Sequence, residues 1–485
     1  MEPVCMTRQG AVRGRMDDAG VASFLGIPYA APPFGARRFR APAPPAPWQG
    51  VREAHVHGPT APRAPYAPPF DALIPEDLGQ DGENCLNLSV RTPEPGPNGG
   101  LPVMVWLHGG AFSNGSGSAS AYDGSAFARD GVVCVTVNYR LGTDGFLSLE
   151  GAPDNRGLLD QIAALEWVRE NIASFGGAPD RITVFGESAG AMSIGVLLGM
   201  EQTRGLFRRA ILQSGGAHHF LRPHSARLVA AQLAERLGVA PTADEFAALP
   251  LATLLAAQTE LRAEIGRRPD PRLWGDAALN AMPFEPVASG LALPGPDCGV
   301  ELLVGSNREE NRLFMVPTGR LDAITDERLR LAATAYGLDP DLALDVYRTG
   351  RPQAGPGELF DALVTDWFYR IPALRLAEAV PGSHVYEFAW RSPQFGGRLG
   401  ACHASELGFV FDNLRDPTYL PMLGSRPPQA LADTMHGAWV SFAETGDPGW
   451  PAYGPDHRTT MIFADESGPV DDPRPAERTL WEGVR

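Results

Sequence analysis

Apolar positions in the middle of the chain fall into two patterns. Val103-Met104-Val105-Trp106-Leu107 is a continuous apolar run that stops at His108-Gly109-Gly110. Val132-Val133-Cys134-Val135-Thr136-Val137 is rich in β-branched residues and stops at Asn138-Tyr139. Such runs suit strands buried on both faces. Between Leu158 and Ile172 the apolar residues are instead spaced at 158, 159, 162, 165, 168 and 172, the stripe of an amphipathic helix. Gly176, Gly177 and Pro179 end that helix. Ile182-Thr183-Val184-Phe185 then predicts a strand, followed by a tight turn and a helix through Met192 to Leu198. Arg209–Leu212, Glu301–Val304 and Val385–Phe388 read as later strands, and 225–290 and 320–380 as mainly helical. Alternation of this kind predicts an α/β fold: a large, mostly parallel central sheet with helices on both faces. No linker interrupts it, so residues 1–485 are expected to form one domain, with the two helical stretches as insertions covering one end of the sheet.

The 485 residues are 44% hydrophobic and 20% charged, which excludes a disordered polymer or a collagen-like fibre. Glycine (55) and proline (46) punctuate the chain without forming a tract, and no repeat is present. The 41 basic residues are all arginine and face 57 acidic ones, so the net charge is −16. Such a surface repels phosphate backbones and argues against nucleic-acid partners. No apolar run reaches 18 residues, so no membrane span is expected, and the first residues lack the features of a secretory signal. Five scattered cysteines without a Cys-x-x-Cys pair imply neither a zinc site nor a disulfide framework. A cytoplasmic protein with reduced thiols is the expectation.

Chemistry concentrates in two short segments. Gly186-Glu187-Ser188-Ala189-Gly190 lies between a predicted strand and a predicted helix. Small residues there permit a strained turn that lifts a serine hydroxyl clear of the sheet. The serine also stands at a helix N-terminus, where backbone N–H groups favour developing negative charge. His108-Gly109-Gly110-Ala111-Phe112 directly follows a strand, and its small residues allow backbone donors to approach the oxyanion that a serine nucleophile generates.

With its surroundings, the first segment resembles the type-B carboxylesterases, the α/β-hydrolase family of bacterial para-nitrobenzyl esterases and cholinesterases. Phe175-Gly176-Gly177 and Ile182 through Gly190 match the family's serine signature. Glu83-Asn84-Cys85-Leu86-Asn87-Leu88-Ser89-Val90 matches a second one, with Asn84 in place of the usual Asp. Phe24 to Ala30, Asn138 to Gly142 and Gly446 to Pro451 are further landmarks, so the likeness runs almost end to end. It implies the α/β-hydrolase fold and a nucleophile at Ser188.

The family's order of serine, acid, histidine places the acid at Glu310, within Glu301-Leu302-Leu303-Val304-Gly305-Ser306-Asn307-Arg308-Glu309-Glu310. Asn311 replaces the family's glycine, and exchanging Glu309 is expected to matter little. The histidine falls at His403, in Gly400-Ala401-Cys402-His403-Ala404-Ser405-Glu406, where Ala404 replaces a common glycine. Of the other histidines, 55 and 57 lie upstream of the serine, 108 belongs to the glycine turn, and 218, 219 and 224 come too early. His384 precedes a strand, His436 sits in a helical pattern and His457 in a terminal loop.

By resemblance, Gly110, Ala111 and Ala189 supply the oxyanion donors, Glu187 and Glu406 are buried acids near the centre, and Arg140 and Asp160 form a structural ion pair. Phe112, Phe220, Phe314 and Met315 are candidate pocket residues. The implied reaction is hydrolysis of small to medium apolar or aromatic carboxylic esters through an acyl-enzyme, with no metal and no cofactor. Lipase, carbamate, amide or polyester-oligomer substrates stay open, as does, more remotely, a non-catalytic binding role. A monomer or weak homo-oligomer with small-molecule esters as its partners completes the expectation.

Overall fold

The structure, a computed structural model, describes residues 2–74, 82–290, 293–295 and 298–484. Two compact units are present: Met1–Tyr66, Glu76–Ala210 and His218–Ala292 form one, and Ala67–Pro75, Ile211–Ala217 and Leu293–Arg485 the other.

In the first unit, strand Leu101–Leu107 runs parallel to Val133–Val137 on one side and to Gly177–Glu187 on the other. Asn87–Thr92 pairs antiparallel with Val133–Val137, and Ala22–Pro28 with Asn87–Thr92. A small separate sheet joins Val4–Thr7, Gly10–Arg13 and Val51–Glu53. The apolar runs at 103–107 and 133–137 are buried throughout, as strands covered on both faces must be. Helix Arg156–Asn171 buries Leu158, Ile162, Leu165 and Val168 and turns Glu166, Arg169 and Glu170 outward. Gly176, at φ 88°, ends the turn that follows it.

Arg140 and Asp160 form the expected ion pair, two bonds of 2.7 and 2.8 Å with both side chains buried. Helices Pro223–Leu237, Ala243–Ala247 and Leu251–Arg267 fill the region read as helical. The N-terminal strands were not predicted. Asn87–Thr92 is polar at alternate positions yet wholly buried, its polar groups being bonded: Thr92 Oγ1 donates to the Phe175 carbonyl (2.7 Å) and Asn87 Nδ2 to that of Pro59 (2.7 Å).

Strand Arg209–Gln213 carries the chain from one unit to the other. In the second unit, Glu301–Asn307, His384–Phe388 and Thr459–Phe463 lie parallel in that order, with Gly468–Asp471 antiparallel at the edge. Asp326–Ala335, Pro340–Gly350, Pro356–Thr365 and Ile371–Ala379 are helices, in line with the 320–380 pattern. A π-helical turn, Asp366–Arg370, interrupts them. Among the described residues, no helix is long and apolar enough to cross a membrane.

Candidate active site

The register of the first unit's sheet sets Leu107 against Gly186, so two strands end side by side. The turns beginning at His108 and at Glu187 therefore leave from one level at the carboxyl ends of parallel strands, where α/β sheets place their ligands. Ser188 sits at φ 54°, ψ −125°, immediately before helix Ala189–Leu197. A left-handed backbone at a non-glycine residue costs on the order of 1–3 kcal/mol and persists only when the surroundings enforce it. Here they do. A Cβ on Gly190 would fall on the Leu107 carbonyl, and one on Gly186 would lie 2.7 Å from the Leu107 oxygen and 2.8 Å from the Gly190 carbonyl carbon. Only glycine at both positions lets helix and strand approach this closely. The Ser188 carbonyl accepts the Met192 N–H (2.8 Å). The first helical N–H groups, that of Ala189 included, have no partner within the helix.

Gly110, Ala111 and Phe112 are three successive left-handed residues, at φ 113°, 52° and 58°. Their turn is closed by Ser113 and Asn114 N–H groups donating to the Gly110 carbonyl (3.0 and 2.9 Å) and by Gly142 N–H donating to that of Phe112 (2.7 Å). A Cβ on Gly109 would come within 3.0 Å of the Ser188 Cβ, which fixes the turn against the serine. His108 braces it. Its Nδ1 is 2.8 Å from the Gly109 carbonyl, its ring stacks on Tyr139 (centroids 4.4 Å apart), and the Tyr139 hydroxyl donates to the His108 carbonyl (2.6 Å). Burial pushes the His108 imidazole down to about 3, so it is a neutral strut. Phe112 is fully buried against Phe146 (4.9 Å), a packing position with no open face.

In the second unit, Glu310 and His403 meet. His403 Nδ1 is 2.7 Å from Glu310 Oε2, both side chains are buried, and the other carboxylate oxygen accepts the Asn307 N–H (2.8 Å). Asn307 Nδ2 also donates to the Cys402 carbonyl (2.7 Å) and to Glu406 Oε2 (2.6 Å). Gln213 Nε2 donates to Glu406 Oε1 (3.1 Å) and is itself held by Trp439 Nε1, which donates to Gln213 Oε1 (3.0 Å). Burial pushes the Glu406 carboxyl up, and the charge of Glu310 adds to the rise. Glu309, one residue from the acid, touches Ala401 and two arginines instead of the histidine.

Of the candidate pocket residues, Phe314 is 37% exposed with its ring 5.5 Å from that of His403, whereas Phe220 and Met315 are half-buried. Glu187 is buried beside Gly109. Sequence reasoning missed Asn307, Gln213 and Tyr369. Tyr369 lies in the π-helical turn with its ring 5.0 Å from His403. Nothing in the local pattern announces a π turn, but such turns recur at functional sites. All five cysteines are unpaired, and burial pushes Cys85 and Cys134 up to about 12, as befits inert thiols.

The family profile described as the carboxylesterase family matches residues 1–471. The chain belongs to the carboxylesterase family. It is 39% identical to the para-nitrobenzyl esterase of Bacillus subtilis (strain 168), covering 98% of this chain and 97% of that one. It is 34% identical to the phenmedipham hydrolase of Pseudarthrobacter oxydans, over 96% of each. Among solved structures, a thermophilic para-nitrobenzyl esterase superposes with a TM-score of 0.84 at 35% identity over 99% of this chain and 100% of that one. A carboxylesterase of Geobacillus stearothermophilus gives 0.82 at 35% over 99% of each. The chain therefore has the α/β-hydrolase fold and is a carboxylic ester hydrolase of the serine type, acting on small-molecule esters.

Proposed function

We propose that Ser188 is the nucleophile of an esterase acting on small to medium apolar or aromatic carboxylic esters. His403 takes the proton from Ser188 as it attacks the ester carbonyl, while Glu310 orients the imidazole and stabilises its cation. The N–H groups of Gly110, Ala111 and Ala189 stabilise the oxyanion. Alcohol departs with the proton returned by His403, and water activated by the same imidazole hydrolyses the acyl-enzyme. The observation that carries this reading is the buried 2.7 Å contact of His403 Nδ1 with Glu310, because it leaves Nε2 as the nitrogen that handles the proton. Glu187 and Glu406 act on the site electrostatically, favouring the cationic imidazole.

The likeness to a para-nitrobenzyl esterase supports the aromatic preference, and Phe314 beside His403 is its local counterpart. The likeness to a phenmedipham hydrolase supports trying phenmedipham as a further substrate. A single folded domain, a cytoplasmic location and a monomer or weak homo-oligomer without nucleic-acid partners belong to the same reading. Unpaired, mostly buried cysteines and a net charge of −16 support the location and the absence of nucleic acid.

Initial-burst kinetics with para-nitrophenyl esters of rising acyl length, with and without EDTA, test the proposal. A burst followed by slower turnover, strongest for short acyl groups and indifferent to chelator, is expected. Turnover without a burst, lost on chelation, would overturn the metal-free acyl-enzyme route.

A further inference from the structure

The loop that delivers His403 is held at a second point, one residue from the acid. The Glu309 N–H donates to the Ala401 carbonyl (3.0 Å), and Ala401 N–H donates back to Glu309 Oε2 (2.8 Å). The other carboxylate oxygen takes Arg312 (2.9 Å) and Arg391. These two guanidinium groups then reach the same loop: Arg312 donates to the Arg398 carbonyl (3.1 Å) and Arg391 to that of Gly397 (3.3 Å). Arg312 is anchored from behind by Asp361 (2.9 Å), both of them buried. Gly400 completes the fit. It is left-handed at φ 64°, and a Cβ there would strike the Glu309 carboxylate and lie 3.1 Å from Arg312 Nη1.

We infer that Glu309, clamped by Arg312 and Arg391, is a positioning residue for the reaction: it fixes segment 397–401 and so sets where the His403 imidazole stands. This departs from the expectation that Glu309 matters little. The segment from Gly400 to His403 is anchored at each residue. Ser392 N–H donates to the Gly400 carbonyl (3.1 Å), Asn307 Nδ2 to that of Cys402 (2.7 Å) and His403 N–H to that of Glu310 (3.2 Å), all neutral hydrogen bonds. Glu309 adds the one charged anchor among them, through Ala401, two residues before His403, and ties it to two guanidinium groups that hold the same loop upstream. A catalytic group must be held to about 0.5 Å, and a shift of about 1 Å costs on the order of 10²-fold in rate.

The inference depends on His403 acting as the base, and its test separates the two claims. Steady-state kinetics are measured for Glu309→Ala, Glu309→Gln, Arg391→Ala, Gly400→Ala and His403→Ala, together with thermal melts and the low-field proton resonance of the His403 Nδ1–H. Glu309→Ala is expected to lower kcat about 10²-fold with KM little changed, and to broaden or abolish the low-field resonance in protein that remains folded. Glu309→Gln keeps an acceptor for Ala401 N–H and should recover part of the rate. Arg391 is 54% exposed, so Arg391→Ala is the variant least exposed to misfolding, and a several-fold loss is expected there. Full kcat in both Glu309→Ala and Arg391→Ala, with His403→Ala inactive, would overturn the positioning role and leave the histidine's role standing. A kcat loss matched by an equal loss of folded protein would also overturn it. Undiminished turnover by His403→Ala would remove both claims.

Discussion

Around Ser188, position is set by the main chain. Two glycines permit a helix to touch a strand, a serine is forced to φ 54°, and three consecutive left-handed residues shape the turn beside it. Around His403, position is set by side chains whose partners lie far away in sequence: Glu310 with His403 and Glu309 with Ala401, spanning 93 and 92 positions. The two regions are built by opposite means. Main-chain rigidity needs particular small residues at adjacent positions, which makes a compact motif. Side-chain rigidity needs only that the right polar groups converge after folding.

Four substitutions break or sharpen this contrast. Ser188→Ala should lower kcat on para-nitrophenyl esters by about 10⁶-fold while circular dichroism and melting stay those of the parent. Retained turnover would move the nucleophile elsewhere. Glu310→Gln should cost about 10⁴-fold, because an amide cannot hold the imidazole in the required tautomer. Within the serine region, Gly109→Ala places a methyl 2.5 Å from Glu187 Oε2 and 3.0 Å from both the Glu187 carbonyl oxygen and the Ser188 Cβ, without demanding a new backbone conformation. The turn must shift, and a loss of about 10²–10³-fold in kcat with a folded protein is expected.

The smallest effect concerns pH. His108 titrates near 6.5 when unfolded but about 3 when folded, so its contribution is complete above pH 6.5 and is lost as pH falls towards 3. Glu387, in the second unit, is held down at about 2 by Arg474 and Arg308 against its burial, so its contribution persists above 4.5 and fades only from there towards 2. Tm measured against pH should therefore begin to fall earlier on account of His108, and His108→Gln should flatten the slope between pH 6.5 and 3. An unchanged slope would show that the buried imidazole is not neutral.

The same contrast explains what could be read in the chain. The strands read at 103–107 and 132–137 were legible because burial on both faces leaves a continuous apolar run, and the one read at 301–304 carried a shorter run, Leu302 to Val304. The Ser188 elbow was legible because its geometry requires glycines at fixed spacing. Asn87–Thr92 escaped because its buried polar groups are bonded to distant carbonyls, which hides it among surface-like sequences. The positions of Glu310 and His403 came from family resemblance, since two residues so far apart leave no local pattern. Asn307, Gln213 and Tyr369 had no signal at all: each acts through contacts that exist only once the second unit has folded.

The central claim is that Ser188 attacks and that His403 with Glu310 makes it able to. Treatment with an organophosphate, followed by intact mass and peptide mapping, tests it most directly. One adduct per chain, located on Ser188, absent in Ser188→Ala and formed orders of magnitude more slowly in His403→Ala and Glu310→Gln, is the predicted result. Labelling of Ser188→Ala at the parent rate, or ester hydrolysis by a chain that takes up no adduct, would contradict it.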